Sequence, residues 1–319
     1  TLRYPVLSRR AGRDLTPNAL SIALAQHRAA GRPILDLTVS NPTTVGLPYP
    51  TERILDALAQ PELMRYRAAP FGLASARAAV GAHVGVPAER VVLTASTSEA
   101  YAWLFKLVCD PGDEVLAPAP SYPLLEHLAA MEGVRLAPYR LAYDGAWYVD
   151  LDSLRRAVTP RTRAVLVVQP NNPTGSWLSR TELDAIASLG LPILSDEVFS
   201  PYGFDPRPGR LATALEAEGA VVFALGGLSK AAGLPQLKAL WILAGGPNAR
   251  VAPLLASLEL VADAYLSLGT PVQLALPALL EASSVTADAI RHRTRANLRT
   301  LHAHVGDASA ASVLDVEGG

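Results

Sequence analysis

The chain has 319 residues, half of them hydrophobic and 18% charged, with a formal net charge of −1. That length accommodates one large domain plus a smaller one around a sizeable core, and the composition excludes disorder. The near-neutral balance gives no support for nucleic acid or an anionic membrane as partner, where a basic excess would be expected.

Apolar runs alternate with longer helical patterns, which predicts an α/β fold with a largely parallel sheet. Residues 42–50, rich in Pro and Gly, read as a link between an N-terminal arm and the main sheet. Strands are predicted at 90–94, 114–117, 134–138, 163–169, 192–196, 221–225 and 239–244. A helix is predicted to begin near Ser98, carrying Ala102, Leu104, Phe105 and Val108. Cys109, the lone cysteine, excludes an internal disulfide or a multi-cysteine metal site. It reads as a small buried hydrophobe, and a reducing, cytoplasmic setting fits. A further helix starts at Ser179, where Ser179-Arg180-Thr181-Glu182 matches a capping box. Residues 286–305 place Ile290, Leu298, Leu301 and Val305 on one face, as a long helix leaving the large domain would. Residues 312–316 read as a strand and 317–319 as the turn after it, so the end looks cut within a small C-terminal domain. No run is apolar enough to span a bilayer, because Gly, Pro or charged residues interrupt each one. Thr1-Leu2-Arg3-Tyr4-Pro5 has no signal-peptide apolar core.

Three segments carry chemistry: Asn171-Asn172-Pro173-Thr174-Gly175, Ser195-Asp196-Glu197-Val198-Phe199 and Leu228-Ser229-Lys230. Each follows a predicted buried strand, so an amide, a carboxylate and an amine meet at one sheet edge, where open α/β folds bind ligands. That set suits pyridoxal 5′-phosphate (PLP): a lysine amine condenses with its aldehyde while an aspartate keeps its ring nitrogen protonated. The flanks of Lys230 hold no charge, so its amine is expected to be partly desolvated. Gly226 and Gly227 would allow close backbone approach to a ligand. Asp196 is also a candidate turn cap at a strand end. Thr94-Ala95-Ser96-Thr97-Ser98-Glu99 opens a helix, either as a phosphate site or as plain N-capping. Tyr122, in a proline-rich loop, either packs on an aromatic ligand or fills a groove.

Asn-Pro-Thr-Gly, Asp-Glu-Val-Phe and Ser-Lys-x-x-Gly-Leu-Pro, in this order over roughly residues 33–305, resemble the class I/II aminotransferases of PLP fold type I. The resemblance implies a PLP enzyme with Lys230 as the Schiff-base lysine, Asp196 on the pyridine nitrogen and Asn172 on the phenolic oxygen. Tyr122 would stack on the ring, and Ser96, Thr97, Ser98 and Lys238 would hold the phosphate. Tyr66 would reach the phosphate of a second subunit, implying a homodimer. Ser40 lies where the family has its N-terminal substrate segment. The implied organisation is an N-terminal arm and small-domain segment over 1–45, a large PLP-binding domain over 46–285, and the incomplete start of a C-terminal small domain over 286–319. The family's arginine for the substrate carboxylate belongs to that last domain, and no residue here takes its role.

Four positions depart from the family pattern. Phe199 replaces a tyrosine that donates to the phenolic oxygen, which should raise the pH at which the Schiff base loses its proton. Lys238 stands where an arginine grips the phosphate, losing the bidentate fork. Gly227 replaces a serine, and Ser96 a glycine. The expected activity is amino-group transfer from an L-amino acid to a 2-oxo acid. Two rivals are PLP-dependent β-elimination and a non-catalytic PLP-binding regulatory domain. A nicotinamide enzyme is disfavoured, since no Gly-x-Gly-x-x-Gly follows a strand.

Overall fold

The computed structural model describes residues 8, 10, 16–36, 40–204, 207–305 and 309–319. They fall into two units, Thr1–Gly46 and Leu47–Gly319. In the first, helix α1 (Ala19–Ala29) is capped by Asn18, whose side chain accepts from the Ser21 amide at 2.8 Å.

The second unit is built on an eight-stranded sheet. Its elements in chain order are α2 (Thr51–Leu58), α3 (Ala74–Val84), β1 (Val91–Thr94), α4 (Thr97–Val108), β2 (Glu114–Ala119), α5 (Leu124–Met131), β3 (Arg135–Tyr143), β4 (Trp147–Val149), α6 (Leu151–Ala157) and β5 (Thr162–Val168). There follow α7 (Arg180–Ala187), β6 (Ile193–Asp196), β7 (Val222–Gly227), α8 (Leu228–Ala231), β8 (Leu240–Gly245), α9 (Asn248–Asp263) and α10 (Thr270–His304). The strand order is β1-β8-β7-β6-β5-β2-β3-β4. Strands β7, β6, β5, β2 and β3 are parallel neighbours, whereas β8 lies antiparallel between β1 and β7.

The strands read as continuous apolar runs because both faces are covered. On one face Ala164, Leu166, Phe223 and Leu225 meet α4, α5 and α9 through Leu104, Leu125 and Leu258. On the other, Val165, Val167 and Val222 meet α6 and α7 through Leu154, Leu183 and Ile186. Near β1 and β8, Leu93, Trp241 and Leu243 pack on α3 and α10 through Val80, Leu276 and Leu279. The capping box at α7 is present: Ser179 and Glu182 satisfy each other's backbone amides.

Three expectations change. The hairpin strand β4 lies between predicted elements and is only three residues long. Helix α10 starts at Thr270, well before residue 286, and runs unbroken to His304; its buried residues stop at Ala287. Residues 312–316 form no strand: among the described residues, the pairing near them is a bridge between Gly318 and Gly203. Glu317 explains that docking. Its backbone amide donates to the Gly175 carbonyl at 3.1 Å, and its carbonyl accepts from the Phe204 amide at 2.9 Å. Its buried carboxylate pairs with Arg210 at 2.8 Å.

Candidate active site

Strands β1, β2, β5, β6 and β7 point the same way, because β8 is antiparallel to both of its neighbours. Their carboxyl ends therefore converge on one sheet edge. Ser96 follows β1, Tyr122 follows β2, Asn171 and Asn172 follow β5, Asp196 ends β6, and Lys230 lies three residues past β7. The register fixes the centre, since Asp196 pairs with Val168 on one side and Leu225 on the other.

Asp196 is buried. Its Oδ2 accepts from the Tyr101 hydroxyl at 2.8 Å and its Oδ1 from the Val198 amide at 3.2 Å. The second bond is the turn cap foreseen from sequence, so the residue both caps a turn and presents a carboxylate. Burial pushes this carboxyl above the usual range, opposed by Tyr101, the Val198 amide and the Lys230 charge. The neighbouring Glu197 is also buried and raised by desolvation. Ser195 Oγ, Ala214 N and Gln169 Nε2 donate to it at 2.7, 2.8 and 3.2 Å, so it stitches β6 to the loop at Ala214.

Lys230 sits in α8, and its residue is exposed rather than desolvated. A charge-free sequence neighbourhood does not determine solvent access. Its Nζ lies 5.1 Å from the centroid of the Phe199 ring. Two tyrosines hold its backbone: the Tyr202 hydroxyl donates to the Lys230 carbonyl, and Tyr49 donates to the Gly233 carbonyl at 2.7 Å. The glycines before it serve packing. A Cβ on Gly226 would lie 2.4 Å from Trp241 Nε1, and one on Gly227 would lie 2.3 Å from Leu240 Cγ. They admit the neighbouring strand β8, not a ligand.

Asn171 is buried, and its Nδ2 donates to Thr174 Oγ1 at 2.9 Å, tightening the turn that leaves Asn172 exposed. Tyr122 is 42% exposed. Ser96 does cap α4, accepting from the Glu99 amide at 3.1 Å. The Glu99 carboxylate in turn accepts from Ala95 N at 2.7 Å and Ser267 Oγ at 2.6 Å. Among the described residues, the Thr97 and Ser98 hydroxyls have no hydrogen-bond partner, and first-turn amides lack intrahelical acceptors. Lys238 is exposed and left-handed, with φ +52°. Tyr66 is 80% exposed. Ser40 is exposed within the first unit.

The donor set fits PLP. Among the described residues the buried Asp196 carboxyl is hydrogen-bonded only by neutral donors, which suits a cation opposite it, as a protonated pyridine nitrogen is. An exposed primary amine on a rigid one-turn helix is available to an aldehyde. The sequence reading missed Tyr101, Tyr202 and Tyr49. For Tyr101 a signal existed: a hydroxyl on the apolar face of a helix otherwise formed by Trp103, Leu104 and Phe105.

The architecture is that of PLP fold type I, and solved structures of that kind superpose closely. An alanine aminotransferase from Pyrococcus furiosus matches with a TM-score of 0.82 at 23% identity, over 93% of this chain and 78% of that one. N-Succinyldiaminopimelate aminotransferase from Mycobacterium tuberculosis matches with a TM-score of 0.72 at 31% identity, over 84% and 71%. The chain belongs to the family Aminotransferase class I and II, which it matches over residues 32–319. It is 28% identical over 260 residues to glutamate-pyruvate aminotransferase AlaA of Escherichia coli K12, covering 78% of this chain and 64% of that protein. It is 40% identical over 146 residues to a probable N-succinyldiaminopimelate aminotransferase DapC of M. tuberculosis, covering 42% and 37%. The chain thus spans 64% of the length of its E. coli relative.

Proposed function

We propose that the chain carries the cofactor-binding part of a PLP-dependent aminotransferase, moving an amino group from an L-amino acid to a 2-oxo acid. One observation carries this reading: a buried Asp196 carboxyl group and an exposed Lys230 amine share one sheet edge in a member of the aminotransferase family. When bound, PLP supplies a carbonyl carbon for the amine and a ring that accepts electrons. Asp196 holds a proton on the ring nitrogen. Lys230 Nζ would anchor the cofactor and, once displaced, would carry a proton from the substrate α-carbon to the former carbonyl carbon of the cofactor. Phe199 walls the amine and Tyr202 fixes its backbone. Asn172 donates toward the phenolic oxygen, and Tyr122 covers a ring face.

The first turn of α4, with Thr97 and Ser98, binds phosphate together with Lys238. Glu99 offsets part of that attraction, because its carboxylate already occupies Ala95 N. Asn172 also faces the substrate. Tyr66, almost fully exposed, serves the site of a second copy in a homodimer. Among the described residues no helix is long and apolar enough to cross a membrane. The chain's E. coli relative AlaA is a glutamate-pyruvate aminotransferase, which supports glutamate or alanine as the amino donor.

Acceptor dependence tests the reaction. With PLP and alanine or glutamate, repeated turnover should need an added 2-oxo acid. With an S-substituted L-cysteine, whose thiolate can leave from Cβ, steady release of thiol, ammonia and pyruvate without an acceptor would overturn amino-group transfer in favour of β-elimination.

A further inference from the structure

Tyr101 stands on the second turn of α4, the helix whose first turn is the phosphate candidate. It is only 2% exposed. Its ring stacks on Phe105, with centroids 5.9 Å apart and planes at 27°. A phenylalanine would fill that volume equally well. The hydroxyl is the costly part, since a buried hydroxyl without a partner is unfavourable, and its partner is Asp196 Oδ2 at 2.8 Å. With Val198 N on Oδ1, each carboxylate oxygen has one fixed donor.

We propose that Tyr101 is a positioning residue for the cofactor. Its hydroxyl fixes the orientation of Asp196 and keeps that carboxylate anionic, so that it holds the ring nitrogen protonated. This rests on the PLP reading. The charged and titratable groups acting on Asp196 are Tyr101 from α4 and Lys230 from α8. Tyr122, from the loop after β2, acts on Tyr101 itself. The phenol is a dependable donor here: burial, and next the Asp196 charge, push it well above the usual tyrosine range, so it does not ionise. Without the hydroxyl, Oδ2 has no hydrogen-bond donor among the described residues, and burial of the carboxyl is opposed only by the Val198 amide and the Lys230 charge.

The test uses Tyr101→Phe and a second variant with 3,5-difluorotyrosine at position 101, which keeps the volume and strengthens the donor. In the cofactor-free protein, carbon-13 NMR follows the Asp196 carboxyl. Phe should move its titration to higher pH and difluorotyrosine to lower pH. In protein loaded with nitrogen-15 PLP, the ring nitrogen of Tyr101→Phe should lose its proton at lower pH, and Kd for PLP should rise about tenfold. A folded Tyr101→Phe variant with an unmoved carboxyl and an unmoved ring nitrogen would overturn the proposal. If that variant does not fold, an unmoved carboxyl in the difluorotyrosine protein overturns it. Failure of the native protein to bind PLP would sink the functional reading, while the cofactor-free titration still decides the role of Tyr101.

Discussion

The Lys230 amine rests over the face of the Phe199 ring, 5.1 Å from its centroid. The ring offers the amine its negative face and has no hydroxyl to offer a bound cofactor. Phe199→Tyr supplies one. In PLP-loaded protein this variant should shift the pH midpoint of the visible absorbance downward, because a donor to the phenolic oxygen stabilises the deprotonated linkage. An unchanged midpoint would mean that residue 199 does not face the cofactor oxygen.

Asp196 carries a stability cost that function explains. A carboxyl raised on folding binds its proton more tightly in the native state. Stability from that group therefore falls as pH rises from the unfolded value of about 3.9 through the folded one, and stays lower above it. Asp196→Asn should melt at higher temperature than the native protein at pH 7 when cofactor-free. The advantage should vanish below about pH 4, where the native carboxyl is protonated in both states. Glu197, raised in the same direction, and Asp113 and Asp150, lowered, are common to both proteins and cancel. Thermal melts across that range, showing Asn less stable at every pH, would refute the account.

Gly227 looks in sequence like a lost phosphate contact, yet the structure gives a different reason for it. A Cβ there would lie 2.3 Å from Leu240 Cγ and 2.9 Å from the Leu240 backbone. Gly227→Ser should therefore not tighten PLP binding. It should destabilise the protein by about 1–3 kcal/mol, the usual range for overpacking. Urea unfolding and a PLP titration read both effects, and a stable variant with a lower Kd would contradict the packing explanation.

Much of this site was legible from the chain because buried parallel strands announce themselves as apolar runs and their carboxyl ends are where the polar motifs begin. Asp196 and Lys230 stand out for that reason. The strand order was not legible: nothing local says that β8 inserts antiparallel between β1 and β7. Residues 312–316 alternate like a strand, but a ladder needs a neighbour, and only Gly318 finds one. The support of Lys230 by Tyr202 and of Asp196 by Tyr101 spans 28 and 95 positions, so local pattern could not reveal it.

Glu317 ties two site loops together. It accepts from Trp177 N at 3.2 Å and pairs with Arg210 at 2.8 Å, while Gly319 N donates to Tyr202 O at 3.2 Å. Glu317→Ala leaves Arg210 short of a buried partner and should cost about 3 kcal/mol. Hydrogen exchange should accelerate at the Trp177, Phe204 and Glu317 amides. Unchanged protection there would show that the segment does not brace the Asn172 turn.

The central claim is that Lys230 is the amine that holds PLP. The chain has only three lysines, Lys106, Lys230 and Lys238, and Lys106 is engaged with Glu132 at 2.5 Å. The direct measurement is borohydride reduction of PLP-loaded protein followed by peptide mass spectrometry. One reduced cofactor adduct is expected, on the peptide bearing Lys230, and none in Lys230→Ala. An adduct on Lys238 or Lys106 in place of Lys230, or no adduct at saturating PLP, would contradict it.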